Sequence, residues 1–214
     1  TIGNPAGGAI AFGAGITDGA AAFNLALDAG TGGAVTVATT TAINNLTLTQ
    51  AASNTFTGNV TVNDLITTAN SGTITLNGAA NTFVAAVDFA DNTLVTLGDA
   101  NTDSSTFAGG VVFSNAGASA LQGAFVTTNQ NANFGTGGVT LGADTTITTG
   151  AGGGDIAFGA GITVAGGGAF DLGLTAGTGA VTVATTTNLT DLTLTLAASN
   201  TFTGNVTVND LITT

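Results

Sequence analysis

The chain has no lysine, arginine or histidine, and no cysteine, methionine, tryptophan or tyrosine. Glutamate is missing too, so all 12 acidic residues are aspartate and the formal net charge is −12. Each absence closes something off. Lysine and arginine supply most nucleic-acid affinity by neutralising phosphate, so a chain without cations is expected to bind no nucleic acid. Docking on anionic lipid is disfavoured for the same reason. No unbroken apolar run approaches the ~20 residues of a membrane-spanning helix, which predicts no membrane insertion of this segment. Acid–base chemistry would fall to aspartate alone, and a serine or threonine nucleophile would have no activating base. The expectation is a protein that is not an enzyme. The one route left to catalysis is an aspartate pair brought together by the fold, as in glycan-cleaving solenoids. A chain without thiols can be threaded unfolded through an oxidising compartment without cross-linking. That favours export, with an extracellular or bacterial cell-surface location.

What is present is copied. Ala51–Thr68, AASNTFTGNVTVNDLITT, returns letter for letter as Ala197–Thr214. The match extends upstream, so that Gly8–Thr68 aligns with Gly154–Thr214 at an offset of 146 residues, with a one-residue slip at Phe23–Gly32 against Phe170–Gly179. Residues 1–214 therefore read as one continuous repetitive segment, about one and a half copies of a 146-residue unit. The chain starts and stops inside that unit, which predicts a stretch of a longer array. A finer motif recurs within the unit: Phe, a small residue two positions on, an aliphatic shortly after. It appears at Phe56, Phe83, Phe107, Phe134, Phe170 and Phe202. Irregular spacing around a constant motif is solenoid behaviour, with insertions placed in loops.

Short runs such as Ala34–Thr39 (AVTVAT), Thr73–Leu76 (TITL) and Leu192–Leu196 (LTLTL) alternate apolar residues with threonine. In a strand that alternation sends Val and Leu inward and Thr outward. Glycine clusters between the runs break any helix and allow tight corners. The reading is all-β: a parallel β-helix, or β-solenoid, of two or three short strands per turn, ~20–25 residues per turn and roughly nine turns. The motif phenylalanines are expected to stack inward as a ladder. Asn54, Asn81 and Asn200, each two before a Phe, are expected at a corner, bonding one turn to the next. A string of immunoglobulin-like sandwiches, which needs ~100 residues per domain, is the minor alternative.

Leu192–Asp210 (LTLTLAASNTFTGNVTVND) resembles the autotransporter-associated β-strand repeat, also called the passenger-associated transport repeat. Asn200, Thr201, Phe202, Thr203, Gly204, Val206 and Val208 carry the resemblance, and so do Asn54, Thr55, Phe56, Thr57, Gly58, Val60 and Val62. Asp64 and Asp210 stand where that family has glycine. The resemblance implies a right-handed β-helix stalk on a large bacterial surface or secreted protein, with no catalytic activity.

Two further features invite chemistry. Asp99-Ala-Asn101-Thr-Asp103-Ser-Ser105 places oxygen donors at alternate positions, as at the opening of a calcium loop, so Asp99, Asn101, Asp103 and Ser105 are candidate calcium ligands. Ser104 replaces the usual glycine, no Glu stands at the twelfth position, and a polar corner loop is the plainer reading. Threonine pairs such as Thr47/Thr49 and Thr193/Thr195 suit an ice-binding face, although threonine is also simply a good strand former. The functional expectation is a structural region of an extracellular sheath, surface or fibre-forming protein that self-associates head-to-tail or into filaments. An adhesin-type stalk and an ice-binding solenoid are the alternatives.

Overall fold

The computed structural model describes residues 1–4, 6–19, 23–90, 92–114 and 117–214. It is a parallel β-solenoid of about 10 turns. All pairings between strands are parallel. Among the described residues the only helical element is a 3-10 turn at Ala165–Gly167.

Each turn lays one strand on each of three faces. Ile10–Phe12, Ala34–Val37, Ser53–Phe56, Thr73–Leu76 and Val95–Leu97 begin the first face, in the register Ile10–Val35–Asn54–Ile74–Val95. Ala80–Phe83 and Ser104–Phe107 belong to the second, in the register Asn81–Ser105–Phe125. Val87–Asp88, Val111–Val112 and Ala132–Asn133 belong to the third. Longer strands such as Thr40–Gln50 and Ala118–Thr127 run through a corner and serve two faces. One turn takes 25 residues from Ile10 to Val35 and 19 from Val35 to Asn54. The difference lies in the corners, since the strands themselves are held in register.

The interior is a continuous apolar column. Leu27, Val35, Leu46, Phe56, Ile74, Phe83, Leu97, Phe107, Leu141 and Leu174 are fully buried. Phenylalanines do stack, but not as one ladder through the motif. Phe83 and Phe107 stack on the second face at 4.9 Å between ring centres. Phe89, Phe113, Phe134 and Phe158 form a separate column on the third, at 5.0, 5.1 and 4.7 Å. Phe56 lies on the first face and Phe170 is only half-buried. The motif marks a strand with its corner, a third of a turn, so its occurrences spread over all three faces: Phe56 on the first, Phe83 and Phe107 on the second, Phe134 and Phe202 on the third.

The asparagines behave likewise. Asn54 and Asn81 point into the core, each 1% exposed, rather than sitting at a corner. Asn81 does bond turn to turn. Its Oδ1 accepts the N–H of Val60 at 3.0 Å, and its Nδ2 donates to the Gly78 carbonyl and to Ser105 Oγ. Asn54, Asn81 and Asn200 lie on the first, second and third faces respectively.

The copies obey the same rule. Ile10 is on the first face, yet its copy Ile156 pairs with Ala132 and Val181 on the third. Val35 and its copy Val181 differ in the same way. Following the third face from Leu25 through Leu46, Leu65, Val87, Val111 and Ala132 to Ile156 takes six steps. The 146-residue offset is therefore six and two-thirds turns. Local conformation is preserved across it. Gly7 and Gly153 both have positive φ, and so do Ala42 and its copy Asn188.

Candidate functional site

The predicted calcium loop sits at the corner between Val95–Leu97 and Ser104–Phe107. Gly98, at φ +80°, turns the chain out of the first strand. Asp103 then folds back, and its Oδ2 accepts the N–H groups of Asp99 (2.7 Å) and Ala100 (3.0 Å). It is 5% exposed and caps its own turn. Asp99 is exposed beside it. Partial desolvation, a hydrogen bond to Asp103 and the like charge of that carboxylate raise the pKa of Asp99 above its ordinary value. The other two candidates diverge. Ser105 faces the core, where its Oγ accepts from Asn81, and Asn101 faces a groove on the second face. The run thus brings Asp99 and Asp103 together and separates them from Ser105. No group of three or more His, Cys, Asp or Glu side chains able to hold a metal occurs among the described residues.

The groove below this corner has a volume of about 610 Å³. Asp144 and Asp171 line it with Thr146, Thr148, Thr175, Thr193 and Thr195. Asp144, Asp171, Asp191 and Asp210 occupy one register position in four successive turns. Asp144 Oδ1 accepts the N–H of Asp171 (3.1 Å), and Asp171 Oδ1 accepts that of Asp191 (3.2 Å). Asp144 thereby ties down the residue before Leu172–Thr175, and Asp171 ties down the part of Ala180–Thr195 that enters the second face. An aspartate pair in an open groove is the arrangement a glycan-cleaving reading needs, but no aromatic side chain or cation lines this one. Its signal was present in the sequence as D-L-x-L at Asp171 and Asp191.

Threonine forms the longest surface feature. On the second face Thr17, Thr41, Thr61, Thr82, Thr106, Thr148, Thr175 and Thr195 stand in single file, with Val126 the one interruption in nine turns. A second file on the first face comprises Thr36, Thr55, Thr75, Thr96, Thr140 and Thr163, with Ala120 between. Neighbouring rungs lie ~4.8 Å apart, the spacing of paired strands. Paired Thr-x-Thr rungs are confined to single strands such as Thr73–Leu76, Gly138–Thr148 and Ala180–Thr195.

The two ends of the solenoid differ from its middle. Phe56, Val60, Val62 and Leu65 are at most 2% exposed, whereas their copies Phe202, Val206 and Val208 are half-buried and Leu211 is 50% exposed. Identical side chains differ because Thr73–Leu76, Ala80–Phe83 and Val87–Asp88 cover the inner copy. No helix among the described residues is long and apolar enough to cross a membrane. No family model matches the chain, and neither does any curated protein or solved structure.

Proposed function

We propose that this chain is a structural repeat region of an exported bacterial surface, sheath or fibre protein, that it is not an enzyme, and that it self-associates end to end. The observation that carries the reading is the copied solenoid, in which an 18-residue segment recurs letter for letter and each turn is built on the pairing edge of the turn before. Exposed strand edges recruit further strands, and a solenoid stack grows by adding turns. Absence of cations and a hydroxyl-covered exterior agree with a passive, protease-resistant surface, since trypsin cuts after Lys or Arg.

Electron microscopy of the purified chain at high concentration tests this. Filaments of uniform width are expected, and monodisperse short rods at every concentration would overturn self-association. A chelator arm addresses Asp99–Asp103, where a divalent cation would relieve the repulsion between two carboxylates; filaments lost on chelation would make that pair a cation site.

The threonine file on the second face supports a second reading, ice binding. Inhibition of ice recrystallisation, abolished by a bulky substitution such as Thr82→Tyr, is its test.

A further inference from the structure

We infer that two copies of this chain pair side by side through the middle of the first face. This contact goes beyond end-to-end assembly and does not depend on it. Segments 34–37, 53–56, 73–76, 94–97, 118–121, 138–141 and 161–164 stack there in seven successive turns. The register breaks of these strands fall outside the face, between Leu121 and Gly123 and between Phe158 and Gly161. None of the seven segments contains an aspartate. By contrast, Asp28, Asp64 and Asp88 stand on strands of the third face, and Asp144 and Asp171 line the groove of the second. Two chains that each carry −12 approach at least cost where neither presents a carboxylate. The outward side chains of these segments are Thr, Ser, Ala and Gly, and Leu94 is the one larger residue. All are half-buried or exposed.

A glycine shows what meets this face. Gly138 opens the strand Gly138–Thr148 and is exposed. Its φ is not positive, and a Cβ built there would meet only the Gly161 carbonyl oxygen, at 4.0 Å. The fold of a single chain therefore does not require glycine at this position. Glycine in a strand weakens it, and it marks places where another chain comes close. The same face supplies the match. Leu94 is 37% exposed and lies one rung before Ala118 and Ala120, and Gly138 lies one rung after them. A two-fold axis along the strands at the alanine rung lays face on face. It seats Leu94 of each copy over Gly138 of the other and sets the two alanines against their own images. Thr96 then faces Thr140, and Thr75 faces Thr163. The surface is self-complementary, as an isologous dimer requires. A face ~13 Å wide and ~40 Å long buries about 1,000 Å² in the pair, enough for a specific interface. Asp99 and Asp144 lie at the corner beside the face, so added salt should tighten the pair by screening them.

Sedimentation equilibrium, below the concentration at which filaments form, tests the pairing. A monomer–dimer equilibrium is expected. Gly138→Val suits a strand but fills the gap opposite Leu94, and should weaken the dimer at least about tenfold. Gly173→Val is the control on the second face, where a Cβ would meet only Thr146 Cγ2 at 3.4 Å, and should leave the dimer unchanged. Leu94→Ala/Gly138→Val moves the bulk across the interface and should restore pairing. Thermal melting checks that each variant folds. Monomers at every concentration would overturn the pairing, and so would monomers whose inhibition of ice recrystallisation is lost in Gly138→Val, which would give the face to ice. Equal weakening by Gly138→Val and Gly173→Val would overturn the choice of face. A double variant no better than Gly138→Val would overturn the register. Electron microscopy separates the two assemblies. Filaments of Gly138→Val with half the mass per length are expected; an unchanged mass per length would overturn lateral pairing and leave end-to-end growth standing. A dimer that never forms filaments would uphold this pairing and overturn end-to-end growth.

Discussion

Asn81 reaches along the solenoid axis in both directions, to Val60 in the turn before and Ser105 in the turn after. Replacing it by alanine leaves the Val60 N–H buried without an acceptor. Asn81→Ala is expected to cost about 1–3 kcal/mol, the penalty of an orphaned buried donor, read as a lowered denaturation midpoint. Asp99 gives a pH signature. Its folded pKa is raised, so the native state takes up this proton before the unfolded chain does. The cost is present in full at neutral pH. Stability rises as pH falls through the folded value, and the gain is complete below the unfolded value of about 3.9. Asp103→Asn removes the like charge but keeps an oxygen to cap the turn. An NMR titration of the Asp99 carboxyl should show its midpoint fall in that variant; an unmoved midpoint would show that Asp103 is not the cause. At this scale the sequence was half legible. Alternate oxygens announced a ligand loop, but strand alternation sends Ser105 to the core, and nothing local marks where the strand begins.

At the scale of the strand and its corner, alternation was enough to read the elements. Thr73–Leu76 and Ala34–Val37 form where the apolar–threonine pattern places them. Which face each occupies was not legible, because that depends on the summed length of all preceding corners. Hence Phe56, Phe83 and Phe134 share a motif but not a column. The third-face stack makes Phe134 the more costly truncation, since it lies between Phe113 and Phe158. Phe134→Ala is expected to lose about 3–5 kcal/mol by cavity formation, and Phe170→Ala clearly less because Phe170 is half-buried. Equal losses in chemical denaturation would refute the stacked core. Corners are equally constrained. Gly123 has φ +87°, and a Cβ there would lie 2.3 Å from the Asp103 carbonyl oxygen. Gly123→Ala should therefore destabilise by more than the ~1 kcal/mol that Gly and Ala differ by on propensity alone.

For the whole molecule the duplicated segment is its own control. Residues 51–68 and 197–214 have identical sequences, so their unfolded exchange rates match except at the first amide and at the chain end. Hydrogen exchange in the monomer should be slow for the inner copy and fast for the outer, since local opening ranges from almost free to the global unfolding energy. Equal protection of the two segments in dilute solution would contradict the covering of 51–68 by Thr73–Leu76, Ala80–Phe83 and Val87–Asp88. Repetition announced the solenoid, but not that copying and winding run out of step. An offset of six and two-thirds turns means that a tandem array of this unit would possess a threefold screw axis. Each unit would advance ~32 Å at ~4.8 Å per turn, and three would return to the starting orientation after ~96 Å. Such a rod would have no permanent front or back. A patch on one unit reappears a third of the way around on the next, so lateral neighbours approaching from three directions would meet the same chemistry, and bundles would pack on a trigonal lattice.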